Sequence, residues 1–131
     1  MSQRDLLQLM LEKARRYLRS AGALNSSGDR ESAVSRLYYA MFYCARALLE
    51  GKVKATVTHK GVLSAFAQHY IKTGVFPAEL HRWLNDAFRK RQVSDYSFVE
   101  KPSEQDVSDL TGKAAEFLRR TEEYLKTSGL L

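Results

Sequence analysis

Apolar residues recur along this chain every three or four positions, and strand-like alternation is absent. Leu7, Met10, Leu11, Ala14, Tyr17, Leu18 and Ala21 share one face of a first segment, with Glu12, Lys13, Arg16 and Arg19 opposite. That is the period of an amphipathic helix, predicted over about 3–24. Asn25-Ser26-Ser27-Gly28 reads as a turn, and Asp29 as the cap of the next helix. The second helix, about 29–50, carries a seam of Val34, Leu37, Met41, Cys44 and Leu48, widened by Tyr38, Ala45 and Leu49. Tyr39, Phe42, Tyr43 and Ala47 occupy much of its remaining surface. A helix apolar nearly all round is central, or shared with another subunit.

Gly51 ends that helix, and 52–58 reads as a linker. Thr58 is placed to cap a third helix over about 59–72, with Val62, Leu63, Phe66 and Tyr70 inward and Gly74 closing it. Pro77 opens a fourth, whose inner stripe is Leu80, Trp83, Leu84, Ala87 and Phe88. A loop is expected over 97–102. Ser103 and Asp106 then resemble a capping box, with Asp a shorter stand-in for Glu. The fifth helix runs to about 126, with Val107, Leu110, Ala114, Phe117, Leu118 and Leu125 inward. Both prolines, Pro77 and Pro102, fall at helix starts. The prediction is an all-α fold: one domain over 1–131, an antiparallel bundle of about five helices.

The 131 residues suffice for a core without disulfide or metal staples. A formal net charge of +6 favours nucleic acid, nucleotides or an acidic protein as ligand, or serves solubility alone. Cys44, the single cysteine, lies in an apolar run and reads as a buried small hydrophobe. One cysteine and the scattered His59, His69 and His81 do not make a zinc site, and the isolated glycines make no phosphate loop. No cofactor or metal is expected. Neither a signal peptide nor an uncharged span of bilayer length is visible, so a cytoplasmic protein is expected.

The densest polar chemistry is at the end of the fourth helix: Arg89-Lys90-Arg91-Gln92-Val93-Ser94-Asp95-Tyr96. Cations there complement the helix dipole. Arg91 and Asp95 are four apart and would form an ion pair if the helix continued, in the weaker order for an isolated helix. Equally, Arg91 offers a planar fork of donors that matches phosphate oxygens. Tyr96 can stack on a base or donate a hydrogen bond. Arg91, Asp95 and Tyr96 are the candidate catalytic residues.

Ala33 to Leu49, with its Tyr38-Tyr39-Ala40-Met41-Phe42 and Ala45-Arg46-Ala47-Leu48-Leu49 runs, resembles the second helix of HEPN domains. His59-Lys60-Gly61-Val62 with Phe66, then Lys72-Thr73-Gly74, resemble the third helix and its turn. Arg91-Gln92-Val93-Ser94-Asp95-Tyr96 resembles the Arg-x-x-x-Asp-Tyr variant of the small single-domain branch. The resemblance spans about 3–127 and is specific in combination. It implies a five-helix bundle that dimerises with the helix-four motifs of two protomers close together, and the apolar surface of the second helix leads to the expectation of a homodimer using helix two, helix four or both. It implies RNA or nucleotide as ligand, and a minimal nucleotidyltransferase as partner in a toxin–antitoxin pair. It also implies a metal-independent endoribonuclease or a degenerate relative of one. The family's ribonuclease motif is Arg, four to six residues, then His. Arg91 matches its first member, but no histidine follows His81. Unperturbed Asp and Tyr titrate far from neutral pH, so weak cleavage is expected. The alternative is a non-catalytic module that binds nucleotide or nucleic acid and docks the nucleotidyltransferase.

Overall fold

A computed structural model describes residues 1–54 and 58–131. Among these residues there are five α-helices and no strand: α1 (Gln3–Ser26), α2 (Arg30–Leu49), α3 (His59–Phe66), α4 (Ala78–Tyr96) and α5 (Glu104–Thr127). The centre of the 52–58 linker, residues 55–57, lies outside the described residues.

Each start has a chemical cause. Ser2 and Asp5 form a capping box on α1, and Ser103 and Asp106 form the one expected on α5. Asp29 accepts from the Ser32 amide at α2, and Thr58 from the Gly61 amide at α3. These caps satisfy amides that have no partner inside the helix. Pro77 precedes α4 as its cap residue, one position outside the expected start. Gly51, at φ +80°, ends α2; a β-carbon there would stand 2.5 Å from the Gln3 side-chain amide. The turn therefore favours glycine for its conformation, while the exposed Gln3 side chain could move aside.

The third helix is not α-helical to its end. After Phe66 the chain widens into one π-helical turn, Ala67–Ile71. That turn carries the buried Tyr70, whose hydroxyl donates to the Leu48 carbonyl near the end of α2. An orphan carbonyl of α2 is thereby satisfied. Tyr70 stacks with Phe66 and Phe76 and meets Tyr124 edge-on.

α2 is the central helix and packs on α1, α3, α4 and α5. Its seam residues Val34, Leu37, Met41, Cys44 and Leu48 are all buried, as are Tyr38, Ala45 and Leu49, which widen it; of the second set Phe42 and Ala47 are buried, whereas Tyr39 and Tyr43 are half-buried. Burying one such aliphatic side chain contributes ~1.5–3 kcal/mol. Burial pushes the Cys44 thiol up to about 12, so it stays protonated at neutral pH. Leu80, Leu84 and Ala87 of α4 are buried, whereas Trp83 and Phe88 are half-buried. Among the described residues, no helix is long and apolar enough to cross a membrane.

Candidate functional site

The site is built where α4 and the start of α3 meet one side of α2. Tyr38, Tyr39 and Phe42 follow the i, i+1, i+4 pattern on α2. Phe88, Arg91 and Asp95 descend one face of α4 at steps of three and four. His59 is the first residue of α3, held there by the Thr58 cap.

Arg91 lies over aromatic faces. Its guanidinium carbon is 5.4 Å from the centre of Tyr38, 5.7 Å from Tyr39 and 5.5 Å from Phe88. One terminal nitrogen is 3.0 Å from an Asp95 carboxylate oxygen. α4 does continue to Tyr96, so the ion pair forms. The Arg91 side chain is only 12% exposed, against 34% for Asp95. Its Nε is buried and has no acceptor among the described residues. Arg120 Nε is buried without a hydrogen bond too, but lies 3.5 Å from a Glu116 carboxylate oxygen. Arg91 is thus a largely desolvated cation with donor capacity left over.

His59 borders the same three rings. Its centre is 5.5 Å from Tyr38, 5.7 Å from Tyr39 and 5.8 Å from Phe88, with Phe42 at 4.6 Å. Two groups at nearly matching distances from the same three centres must stand on opposite sides of the plane through them. Arg91 and His59 therefore flank the Tyr38–Tyr39–Phe88 triangle from its two faces. Tyr38 is fully buried; Tyr39 and Phe88 are half-buried and form the open edge.

The Tyr38 hydroxyl is 2.7 Å from His59 Nδ1. Burial raises the Tyr38 phenol far above its ordinary value, although Arg91 opposes the rise. The phenol therefore keeps its proton. Donating it to Nδ1 satisfies a buried hydroxyl, whereas the reverse arrangement leaves that O–H with nothing to bond. The geometry assigns His59 the tautomer with its own proton on Nε2. Burial first, and Arg91 second, hold the imidazole below its ordinary value, so it is neutral at neutral pH.

Of the three candidate residues, the fold pairs Arg91 with Asp95 and leaves Tyr96 apart. Tyr96 is 77% exposed and makes no ring contact with Arg91. His69 and His81 do not join the triangle. His69 is half-buried in the π-helical turn, and His81 contacts the Asn85 amide within α4. The sequence did not single out the Tyr38 hydroxyl or Phe88 as parts of a site. Their signal was present, a tyrosine pair on an otherwise apolar helix, but it also fitted plain core packing.

Two surfaces adjoin the triangle. A cleft of about 470 Å³ runs past Asp95 and is lined by Asp29, Glu31, Ser35, Arg36 and Ser94. A row of aromatic and cationic groups leads from Tyr39 across α2 and α1. Tyr39 lies 6.3 Å from Tyr17 and 5.8 Å from Tyr43, Arg36 stacks 4.5 Å over Tyr17, and Lys13 stacks 4.7 Å over Tyr43. Among the described residues, no three His, Cys, Asp or Glu side chains gather as a metal site would need.

The HEPN domain model matches residues 7–124. A protein of Methanocaldococcus jannaschii provisionally named as a toxin is 37% identical, over 95% of this chain and 85% of its own. A UPF0332 protein of Gloeobacter violaceus is 38% identical, over 90% of this chain and 94% of its own. Another UPF0332 protein, from Thermotoga maritima, is 35% identical over 92% of each chain. The chain belongs to the HEPN family.

Proposed function

We propose that this HEPN protein is the toxin of a toxin–antitoxin pair and acts on RNA in the cytoplasm, with Arg91 as the phosphate ligand. The observation that carries the reading is the state of Arg91: a mostly covered guanidinium over three rings, with a buried Nε that has no acceptor among the described residues. Such a group gains from a phosphate oxygen more than a solvated surface arginine does. The row of Tyr39, Tyr17, Arg36, Tyr43 and Lys13 supports RNA as the ligand class, because half-buried rings beside cations suit single strands. The names of relatives from Methanocaldococcus jannaschii support the toxin setting. The partner is a minimal nucleotidyltransferase, as in the branch the motif resembles.

The protein acts as a weak metal-independent endoribonuclease through the end of α4, with Asp95 paired to Arg91 and Tyr96 exposed on the following position, turned away from the guanidinium. The second reading, a non-catalytic RNA- or nucleotide-binding module that docks the nucleotidyltransferase, draws on the Arg91–Asp95 ion pair and on the missing α4 histidine. We further propose a homodimer. An apolar patch at the end of α4 favours it: Val93 is 41% exposed, Phe98 97% and Val99 89%.

The test incubates purified protein with RNA in the presence of a chelator, comparing wild type with Arg91→Ala. Cleavage or binding that Arg91→Ala abolishes upholds the reading. Binding without cleavage selects the second one. RNA that is neither bound nor cut refutes both. Co-expression with a minimal nucleotidyltransferase, followed by size-exclusion chromatography, tests the pairing.

A further inference from the structure

Arg91 is one half of a phosphate site, and the structure holds a second group of suitable chemistry on the other face of the same ring triangle. We infer that His59 is a neutral hydrogen-bond donor to the phosphate that Arg91 binds, positioned by the Tyr38 hydroxyl, and that it is not the missing proton acceptor. The inference rests on the reading of Arg91 as the phosphate ligand.

Four observations converge on it. His59 and Arg91 stand at nearly equal distances from Tyr38, Tyr39 and Phe88, so a phosphodiester on the open Tyr39–Phe88 edge meets one from each side. His59 is half-buried, and among the described residues the one hydrogen bond of its ring is the 2.7 Å contact at Nδ1. The Tyr38 hydroxyl occupies Nδ1 as donor, which leaves Nε2 with a proton to give. Finally, among the described residues the titratable groups shown against His59 are Tyr38 and Tyr39 from α2 and Arg91 from α4, and the charged one among them disfavours an imidazolium.

This arrangement decides the role. A general base would need a free lone pair on Nε2, and that position carries the proton. A general acid would need the imidazolium, which burial and Arg91 disfavour. What remains is a fixed N–H dipole that meets an anionic oxygen without bringing a charge of its own. Tyr38 is then a positioning residue: it touches no substrate and acts by holding the tautomer and the ring plane.

The absence of charge gives the test. A protein cation that contacts phosphate releases counterions, so losing it lowers the slope of log affinity against log salt by about 0.7 for a single strand. A neutral donor releases none. Binding of a labelled single-stranded RNA 12-mer is measured by fluorescence anisotropy at several salt concentrations near pH 7.5, with thermal melts as the control for folding. Arg91→Ala is expected to weaken binding and lower the slope. His59→Ala is expected to weaken binding about ten- to a hundredfold, one hydrogen bond to a charged acceptor, with the slope unchanged. His59→Gln keeps an amide N–H near the Nε2 position and is expected to recover most of that loss. Tyr38→Phe, near-isosteric in the core, is expected to weaken binding a fewfold while leaving the slope alone.

His59→Ala binding as tightly as wild type, while Arg91→Ala binds worse, overturns the inference and leaves the Arg91 reading standing. A drop in salt slope with His59→Ala, matching that of Arg91→Ala, also overturns it, because the imidazole would then be charged. If cleavage is seen and His59→Gln abolishes it without changing affinity, His59 is the base after all. Wild type that binds no RNA removes both the inference and the reading beneath it.

Discussion

Replacing Asp95 by asparagine separates the two roles that Arg91 can play. The carboxylate and a bound phosphate compete for one guanidinium. If Arg91 exists only to hold α4 together through its ion pair, Asp95→Asn changes nothing about anion binding. If Arg91 is a phosphate ligand, Asp95→Asn removes both a competitor and a like charge next to the ligand. The pair is 3.0 Å long, with Arg91 12% and Asp95 34% exposed. Coulomb attraction at that distance is several kcal/mol in a medium of intermediate polarity, but desolvation takes back most of it. Measured pairs with an exposed partner contribute ~0.2–1 kcal/mol. Releasing about 1 kcal/mol corresponds to roughly fivefold tighter binding.

The assay is RNA affinity at low salt, beside a thermal melt of each protein. Asn keeps the size of Asp and a carbonyl for the guanidinium, so the melting temperature should fall by no more than about 5 °C. The expected outcome is a three- to tenfold gain in affinity that shrinks as salt screens the lost charge. Unchanged or weaker RNA binding, with the melt showing an intact fold, refutes the reasoning and leaves Arg91 as a structural cation.

Three further outcomes follow from other parts of the molecule. Leu84 of α4 is fully buried, and Leu84→Ala should cost ~2–5 kcal/mol in urea unfolding, because the neighbours that close on it cannot fully collapse. His59 has a folded-state value below its unfolded one, so the unfolded chain takes up the proton first as the pH falls. Stability from this group should be complete above pH ~6.5, fall as the pH drops from there to the lowered folded value, and level off below it; His59→Gln should lose that step in urea midpoints measured from pH 7.5 to 5. Phe98 is 97% exposed at the end of α4, and Phe98→Asp should shift a homodimer toward monomer in light scattering at tens of micromolar without changing the melt of the monomer.

The bundle was legible because its signals are local. The apolar period, the serine, threonine and aspartate caps and the two prolines each act within a few residues, and each helix was expected to within three residues of where it starts. What was not visible was the change of pitch after Phe66. A π-helical turn shifts the ring of Tyr70 relative to an α-helical register, and the carbonyl its hydroxyl reaches lies on α2, which no local pattern encodes. Tyr96 makes the opposite point. On an α-helix a residue five positions on is turned by about 140° from the first, while one four positions on is turned by only about 40°. Asp95 therefore shares the face of Arg91 and Tyr96 does not, although the motif places them side by side. That much could have been read from helix geometry alone. His59 could not, because thirty-two positions separate it from Arg91 and only tertiary packing brings the start of α3 to the aromatic side of α2.

The excess of apolar surface on α2 finds its explanation in this arrangement. One side of the helix, from Val34 to Leu48, belongs to the core, and burial alone accounts for it. The next carries Tyr38, Tyr39 and Phe42, of which Tyr38 and Phe42 are buried as part of the core and Tyr39 is half-buried. They make a low-polarity floor on which a guanidinium and an imidazole are held apart, each short of water. Desolvation strengthens whatever electrostatic contact such groups later make with an anion, and a guanidinium over ring faces keeps its charge there at modest cost. The same floor discourages the imidazole from charging, which divides the labour between a permanent cation on one side and a neutral donor on the other. A site of that kind grips a phosphate well and moves protons poorly. The weak cleavage expected from the missing α4 histidine thus has a second, independent cause, since the histidine that does reach the site offers a proton where a base is needed.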